Sequence, residues 1–329
     1  MNRTQPRVPE PEHDDPGRAD CGRSDPGSTA RGRNGPPVPP RLIVVAAVGF
    51  SSLSALLIRL STAPAPAIAA WRMILSFLMM AVVVSLQHSH RRRVPAMTLT
   101  PGVVALLGLS GVFLALHFAT WIASLSLTSV THSTVLVTMH PVIVLFAGFF
   151  FLHEKIDRGR LFPALGAVLG AAILAIGGSS SGRQPTVAGD LLAVAGAVAV
   201  SGYLVIGSWA RRSVGAGVYS VIVYGIAAAV LSLFAVVTGQ ALFSYAPVDY
   251  LLFAALAFFC TILGHGLINW GLKYVPAAEV SMYIVLEPVF ATIMAVIWLD
   301  ELPGLVTAAG GLLVLGSLMV VTHRNRHTL

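Results

Sequence analysis

Charge is what this sequence has least of. Only 11% of its 329 residues are charged, where a soluble domain carries about 25%. Even a large soluble domain has to coat its surface with polar groups, so a hydrophobic fraction of 56% and a mean hydropathy of +0.80 point to lipid as the solvent. Cysteine is almost absent: Cys21 and Cys260 give neither a disulfide framework nor a metal-ligand spacing, and no metal is expected. No P-loop and no Gly-x-Ser-x-Gly appear, and His153-Glu154-Lys155 is not followed by the second histidine of a zinc-protease helix. Nor is there a selectivity filter or a ring of charges of the kind a channel needs. These gaps leave no ATP-driven pump, no recognisable hydrolase and no cofactor; a polytopic membrane enzyme is the rival class that the residues support least.

Residues 1–40 differ from the rest. They hold nine of the 20 prolines with many Arg, Asp and Gly and no apolar period, so they cannot offset their ordering entropy and read as a disordered cytoplasmic tail without a cleavable signal peptide. The net charge of +7 does not imply nucleic acid. Arg91-Arg92-Arg93 and Arg211-Arg212 are short clusters beside apolar segments, which suits an anionic lipid surface.

From Arg41 onward apolar runs alternate with short polar breaks. Spans are expected near 42–60, 66–86, 102–125, 130–152, 161–178, 188–209, 214–238, 249–272, 277–298 and 302–322. At about 1.5 Å per residue most of them cross a hydrocarbon layer of about 30 Å. With a cytoplasmic N-terminus, 18 of the 21 Lys and Arg fall inside, Arg59 and Arg183 fall outside, and Arg72 lies within a span. A missed or extra span would scramble that asymmetry, so ten spans with both termini in the cytoplasm are expected.

The second half repeats the first at an offset of 147 residues. His140-Pro141-Val142 with Leu152-His153-Glu154 matches Glu287-Pro288-Val289 with Leu299-Asp300-Glu301, and His117 matches His265 once one residue is gapped. Five spans is an odd number, so the second copy enters the membrane from the other side. The expected fold is therefore an all-α integral membrane protein of ten transmembrane helices in two inverted five-helix repeats, 41–178 and 188–322, with a cytoplasmic C-terminus at 323–329. Such symmetry serves a carrier, which can exchange inward-open and outward-open forms, better than an enzyme or an anchor.

The Pro-bearing span ending in a Leu-x-Glu element, present twice, with Ala70-Trp71-Arg72 opening the second span, resembles the EamA-type branch of the drug/metabolite transporter superfamily over about residues 42–322. The resemblance implies a ten-helix inverted-repeat carrier in the cytoplasmic membrane, usually an exporter of amino acids or other small metabolites. Import or exchange is the alternative. Where that family often has an aromatic or small residue before the first proline, this chain has His140.

Ionisable groups at midspan cost roughly 2.5–3.5 kcal/mol on insertion scales, so each invites a function. Glu287 and His140 each stand eleventh in their spans, one from each repeat, and Pro141 and Pro288 behind them should kink both helices. Glu287 could exchange a proton with a cavity or hold a substrate ammonium group; a fixed hydrogen bond to a neighbouring helix is the plainer alternative, and His140 could equally bridge helices. Glu279, Tyr283 and Glu287 form a stripe, with Glu279 near the cytoplasmic end reading as a solvated vestibule or interfacially exposed residue rather than a binding one, as does His132 near the outer end of the other repeat. His117, Thr120, Trp121 and Ser124, and likewise Thr261, His265 and Asn269, form polar faces that belong inside the bundle, lining a cavity or joining helices. Tyr203 and Tyr224 could supply hydroxyls to such a cavity, with interfacial packing the plainer reading.

Snorkelling to headgroups accounts for Arg72 without a function; a salt bridge to Glu287 or contact with an anionic substrate is the functional alternative. The expected solute or proton pathway is thus Glu287, His140, His117, Trp121, His265, Asn269, Tyr283 and Arg72. Glu154 and Glu301 favour the N-termini of the helices after them. The Gly166 to Gly170 element allows close helix contact within the chain or in a homodimer.

Overall fold

Apolar runs bounded by Pro, Gly and Ser become helices here because a helix satisfies its own backbone, which lipid cannot do. The computed structural model describes residues 38–90, 100–128, 133, 136–152, 158–177, 186–299 and 304–326. The tail to residue 37, His132, Glu154 and Glu301 lie outside the described residues. Among the described residues every regular element is helical: α1 Pro40–Ser51, α2 Ser54–Leu60, α3 Ala65–His90, α4 Pro101–Leu127, α5 His140–Leu152, α6 Arg158–Gly177, α7 Val187–Ser213, α8 Ala216–Val237, α9 Pro247–Ala255, a π-helical stretch Leu256–His265, α10 Gly266–Gly271, α11 Ala277–Ile284, α12 Glu287–Leu299 and α13 Leu305–Arg326. Prolines at the first positions of α1, α4 and α9 use a site where the missing N–H goes unneeded. Thr100 and Thr186 cap α4 and α7 by accepting from the backbone N–H of Val103 and Gly189.

Among the described residues seven segments are long and apolar enough to cross a membrane, from Pro40–Leu60 through Ala277–Met294, and three shorter apolar stretches, His140–Phe150, Leu161–Ile173 and Leu305–Val320, fall within three further expected spans. Outward-facing Phe150, Phe162, Leu169, Leu233, Leu251 and Met319 are exposed, as on a surface solvated by lipid. The protein is a multi-pass membrane protein.

Inside, α4 packs on α7 and α8, α3 on α8, and α6 on α13. The last of these pairs answers one question the sequence left open. A Cβ on Gly170 would stand 2.8 Å from the Val314 nitrogen and 2.9 Å from the Gly310 carbonyl oxygen, and one on Gly166 would meet Ser317. That glycine face is used up within the chain rather than offered to a second copy.

Helix interruptions position the site. The expected kinks at Pro141 and Pro288 are sharper than kinks: the helix stops at Thr138–Met139 and at Val285–Leu286, and His140 and Glu287 begin new helices with proline second. At its second position a proline costs no intrahelical bond, whereas mid-helix it would. A third break, at Ser52–Leu53, was not expected. There the Val48 carbonyl accepts from both the Ser52 N–H at 3.0 Å and the Ser52 hydroxyl at 2.8 Å, a back-bond of the kind that bends helices. The π-helical stretch adds a wider turn between α9 and α10, where the Gly266 N–H donates to the Thr261 carbonyl five residues earlier.

Candidate functional site

Those breaks surround one narrow cavity of about 40 Å³. Ser51 and Ser54 reach it from the first break, His140 from the second and Glu287 from the third; Arg72 comes from α3, His117 and Trp121 from α4, and His265 from the π-helical stretch. Val200, Ile268 and Ile284 supply apolar wall. Six of the eight residues expected on a solute or proton pathway therefore meet at a single space. Ser51 and Ser54 were missed; their signal was a serine cluster in an otherwise apolar run.

Arg72 does not snorkel. It is 0% exposed, its Nε donates to the Thr261 hydroxyl at 2.9 Å, and its guanidinium carbon lies 4.2 Å from the centre of the Phe118 ring. The hydrophobic surroundings and the ring face hold the side chain turned inward, away from the headgroups. It forms no ion pair with Glu287, although both line the cavity.

The histidines are oriented from behind. His117 Nδ1 donates to the Gly196 carbonyl at 3.0 Å, and the ring stacks on Trp121 with 5.9 Å between centroids. His140 Nδ1 donates to the Val137 carbonyl at 2.9 Å. In a neutral ring each of these bonds leaves Nε2 as an acceptor. Arg72 Nη1, His140 Nε2, His265 Nδ1 and Ser51 Oγ are buried without a hydrogen-bond partner. Buried polar atoms are nearly always satisfied in a native fold, so four atoms without a protein partner at one cavity single it out as the candidate site.

The other two expected pathway residues sit elsewhere. Asn269 belongs to a closed network: it accepts from the Tyr203 hydroxyl and donates to Ser220 at 3.2 Å and to Tyr224 at 3.3 Å. Tyr203 and Tyr224 are both 0% exposed, so neither is interfacial; their rings pack inside the bundle and their hydroxyls bond there. Tyr283 donates to Glu279 at 2.8 Å. Glu279 is buried rather than interfacial, because Arg41 reaches it with Nε at 2.6 Å and Nη2 at 3.3 Å. At the opposite end of the first span, Asp249 accepts from the Ser61 hydroxyl, the Thr62 N–H and the Thr62 hydroxyl at 2.6, 2.9 and 2.8 Å. Among the described residues no three His, Cys, Asp or Glu side chains gather to hold a metal ion.

The family described as the EamA-like transporter family matches residues 41–176 and again residues 187–323. The chain belongs to that family. The boundaries of its two copies give the cavity its meaning, because Ser51, Arg72, His117, Trp121 and His140 come from the first copy and Val200, His265, Ile268, Ile284 and Glu287 from the second. Among solved structures, one titled only "Crystal structure of protein" is similar to this EamA-like chain with a TM-score of 0.71 and 20% identity over 88% of this chain and 98% of that one. At that identity the likeness concerns the fold. No curated protein matches the sequence.

Proposed function

We propose that this protein is a secondary-active carrier in the cytoplasmic membrane, its two five-helix repeats inverted and both termini cytoplasmic, which exports amino acids or other small metabolites by alternating access. One observation carries the reading: ionisable residues of both family copies, Arg72, His117 and His140 from one and His265 and Glu287 from the other, face a single cavity at helix breaks. Half-helices that begin at the midplane next to ionisable groups are how carriers build a site within lipid. The cavity has room for a few waters, since a water needs about 10–15 Å³. Pockets that hold small molecules run to about 300–1,000 Å³, so the solute-bearing forms are wider, with the halves parted on one side at a time. Without an ATP-binding motif, the energy comes from a gradient, and Glu287 is the group we assign to exchange the proton.

The test has two stages. Comparing metabolites inside and outside cells with and without the protein identifies the solute and the direction of movement. Flux of that solute in proteoliposomes across a pH series then compares the wild type with Glu287→Gln, which is expected to insert normally and to abolish or uncouple transport. Wild-type rates in the variant at every pH would remove Glu287 from the mechanism.

A further inference from the structure

The chemistry of the occupant can be narrowed by one side chain. Arg72 and Arg211 are both buried arginines, 0% and 3% exposed. Arg211 is a structural cross-link: its Nε donates to the Asn269 carbonyl at 2.8 Å and its Nη1 to the Val214 carbonyl. Arg72 is held differently. Thr261 fixes its Nε edge and Phe118 covers one face, yet Nη1 has no hydrogen-bond partner, and the residue lines the cavity together with Glu287. No acidic side chain among the described residues is hydrogen-bonded to it. An arginine keeps its charge, and a buried charge is costly unless it is paired and hydrogen-bonded. A group that merely joined helices would spend its donors on carbonyls, as Arg211 does.

We infer that the transported solute carries a carboxylate that docks on Arg72 Nη1, with its apolar part against Trp121, Val200, Ile268 and Ile284. The inference rests on the carrier reading and names the substrate class of that same cavity. One unpaired guanidinium supplies a single positive charge, which a monoanionic carboxylate neutralises and a phosphate dianion would exceed. Arginine's planar fork suits a carboxylate geometrically, and Thr261 pre-orients it, so less freedom is lost on docking.

Binding and flux are measured separately with defined probes. Radiolabelled isovalerate and phenylacetate are titrated onto the purified wild-type protein and competed with isovaleramide, phenylacetamide and sodium chloride. The expected result is that at least one carboxylate binds, that its own amide competes about 10- to 100-fold more weakly, and that chloride at equal concentration does not displace it. Arg72→Gln should weaken binding by about the same factor, and Arg72→Lys by less. Thr261→Val, which keeps the charge and loses its orientation, should weaken binding by less than Arg72→Gln and covers the case in which that variant does not fold. The inference is overturned if neither carboxylate binds, if the amides compete as well as the acids, if chloride displaces them, or if Arg72→Gln binds like the wild type. Flux of the bound carboxylate from proteoliposomes tests the other half: a carboxylate held through Arg72 that is never transported refutes the carrier reading and leaves the docking site standing.

Discussion

Two kinds of polar cluster occupy this bundle, and they differ in how completely they are satisfied. At the two ends of the first span the charges are saturated. Glu279 takes two bonds from Arg41 and one from Tyr283, and Asp249 takes three from Ser61 and Thr62. Midway between them, Arg72 and Glu287 share a cavity without pairing, and four buried polar atoms there go without partners. Glu279 and Glu287 stand eight residues apart on the same interrupted span, so hydropathy treats them alike. Partners separate them. The first kind ties segments of the chain together, and the second keeps hydrogen-bonding capacity that no protein group uses.

The largest expected effect comes from setting one carboxylate of each kind side by side. Glu287→Gln should lower proteoliposome flux about 100-fold or more, the scale at which a positioned proton-transfer group acts. Its thermal unfolding temperature in detergent should stay close to the wild type, because Glu287 is only half-buried and its carboxyl makes no ion pair that the amide would lose. Asp249→Ala should do the reverse. It leaves the Ser61 and Thr62 donors without their acceptor, costing about 2 kcal/mol, while flux per folded molecule stays within about twofold. Should Asp249→Ala stop transport at unchanged stability, saturation would no longer separate structure from function.

Much of this contrast was legible in the sequence, and the part that was not has physical causes. Hydropathy averaged over a span registers lipid as the solvent, and so the seven long apolar helices among the described residues were readable within about four residues. His117, His140, Trp121, His265 and Glu287 were found because an ionisable or polar group at midspan has few places to go. Arg72 was misread because snorkelling depends on how a helix is rotated, which composition does not encode; the Phe118 face that holds it inward is 46 residues away. Glu279 was misread because its partner, Arg41, lies 238 residues away. The break at Ser52 carries no proline or glycine at the interruption, only a hydroxyl that bonds back along its own helix.

Arg41→Gln tests the saturated end more gently. Arg41 is 32% exposed on its side chain, so water screens it and the full penalty of orphaning a buried acid does not apply. Tyr283 still donates to Glu279. A loss of about 1 kcal/mol is expected, read as a lower unfolding temperature that falls further in high salt for the wild type than for the variant. Equal salt sensitivity in both would mean that the pair contributes nothing measurable to stability.

The smallest effect is expected where a saturated network lies closest to the unsaturated cavity. Tyr203→Phe removes the donor to Asn269 Oδ1, while Ser220 and Tyr224 still accept from the amide and Arg211 still holds the Asn269 carbonyl. Interhelical hydrogen bonds in membranes average about 0.6 kcal/mol and reach about 1.7, so the unfolding temperature should fall only slightly. The aromatic ring stays 6.2 Å from His265, and nothing that lines the cavity is deleted. Flux should therefore match the wild type. A collapse of flux at near-wild-type stability would place the Tyr203–Asn269 network on the solute path, and the line between satisfied scaffold and unsatisfied site would have to be moved one layer outward, to include the tyrosine whose ring neighbours His265.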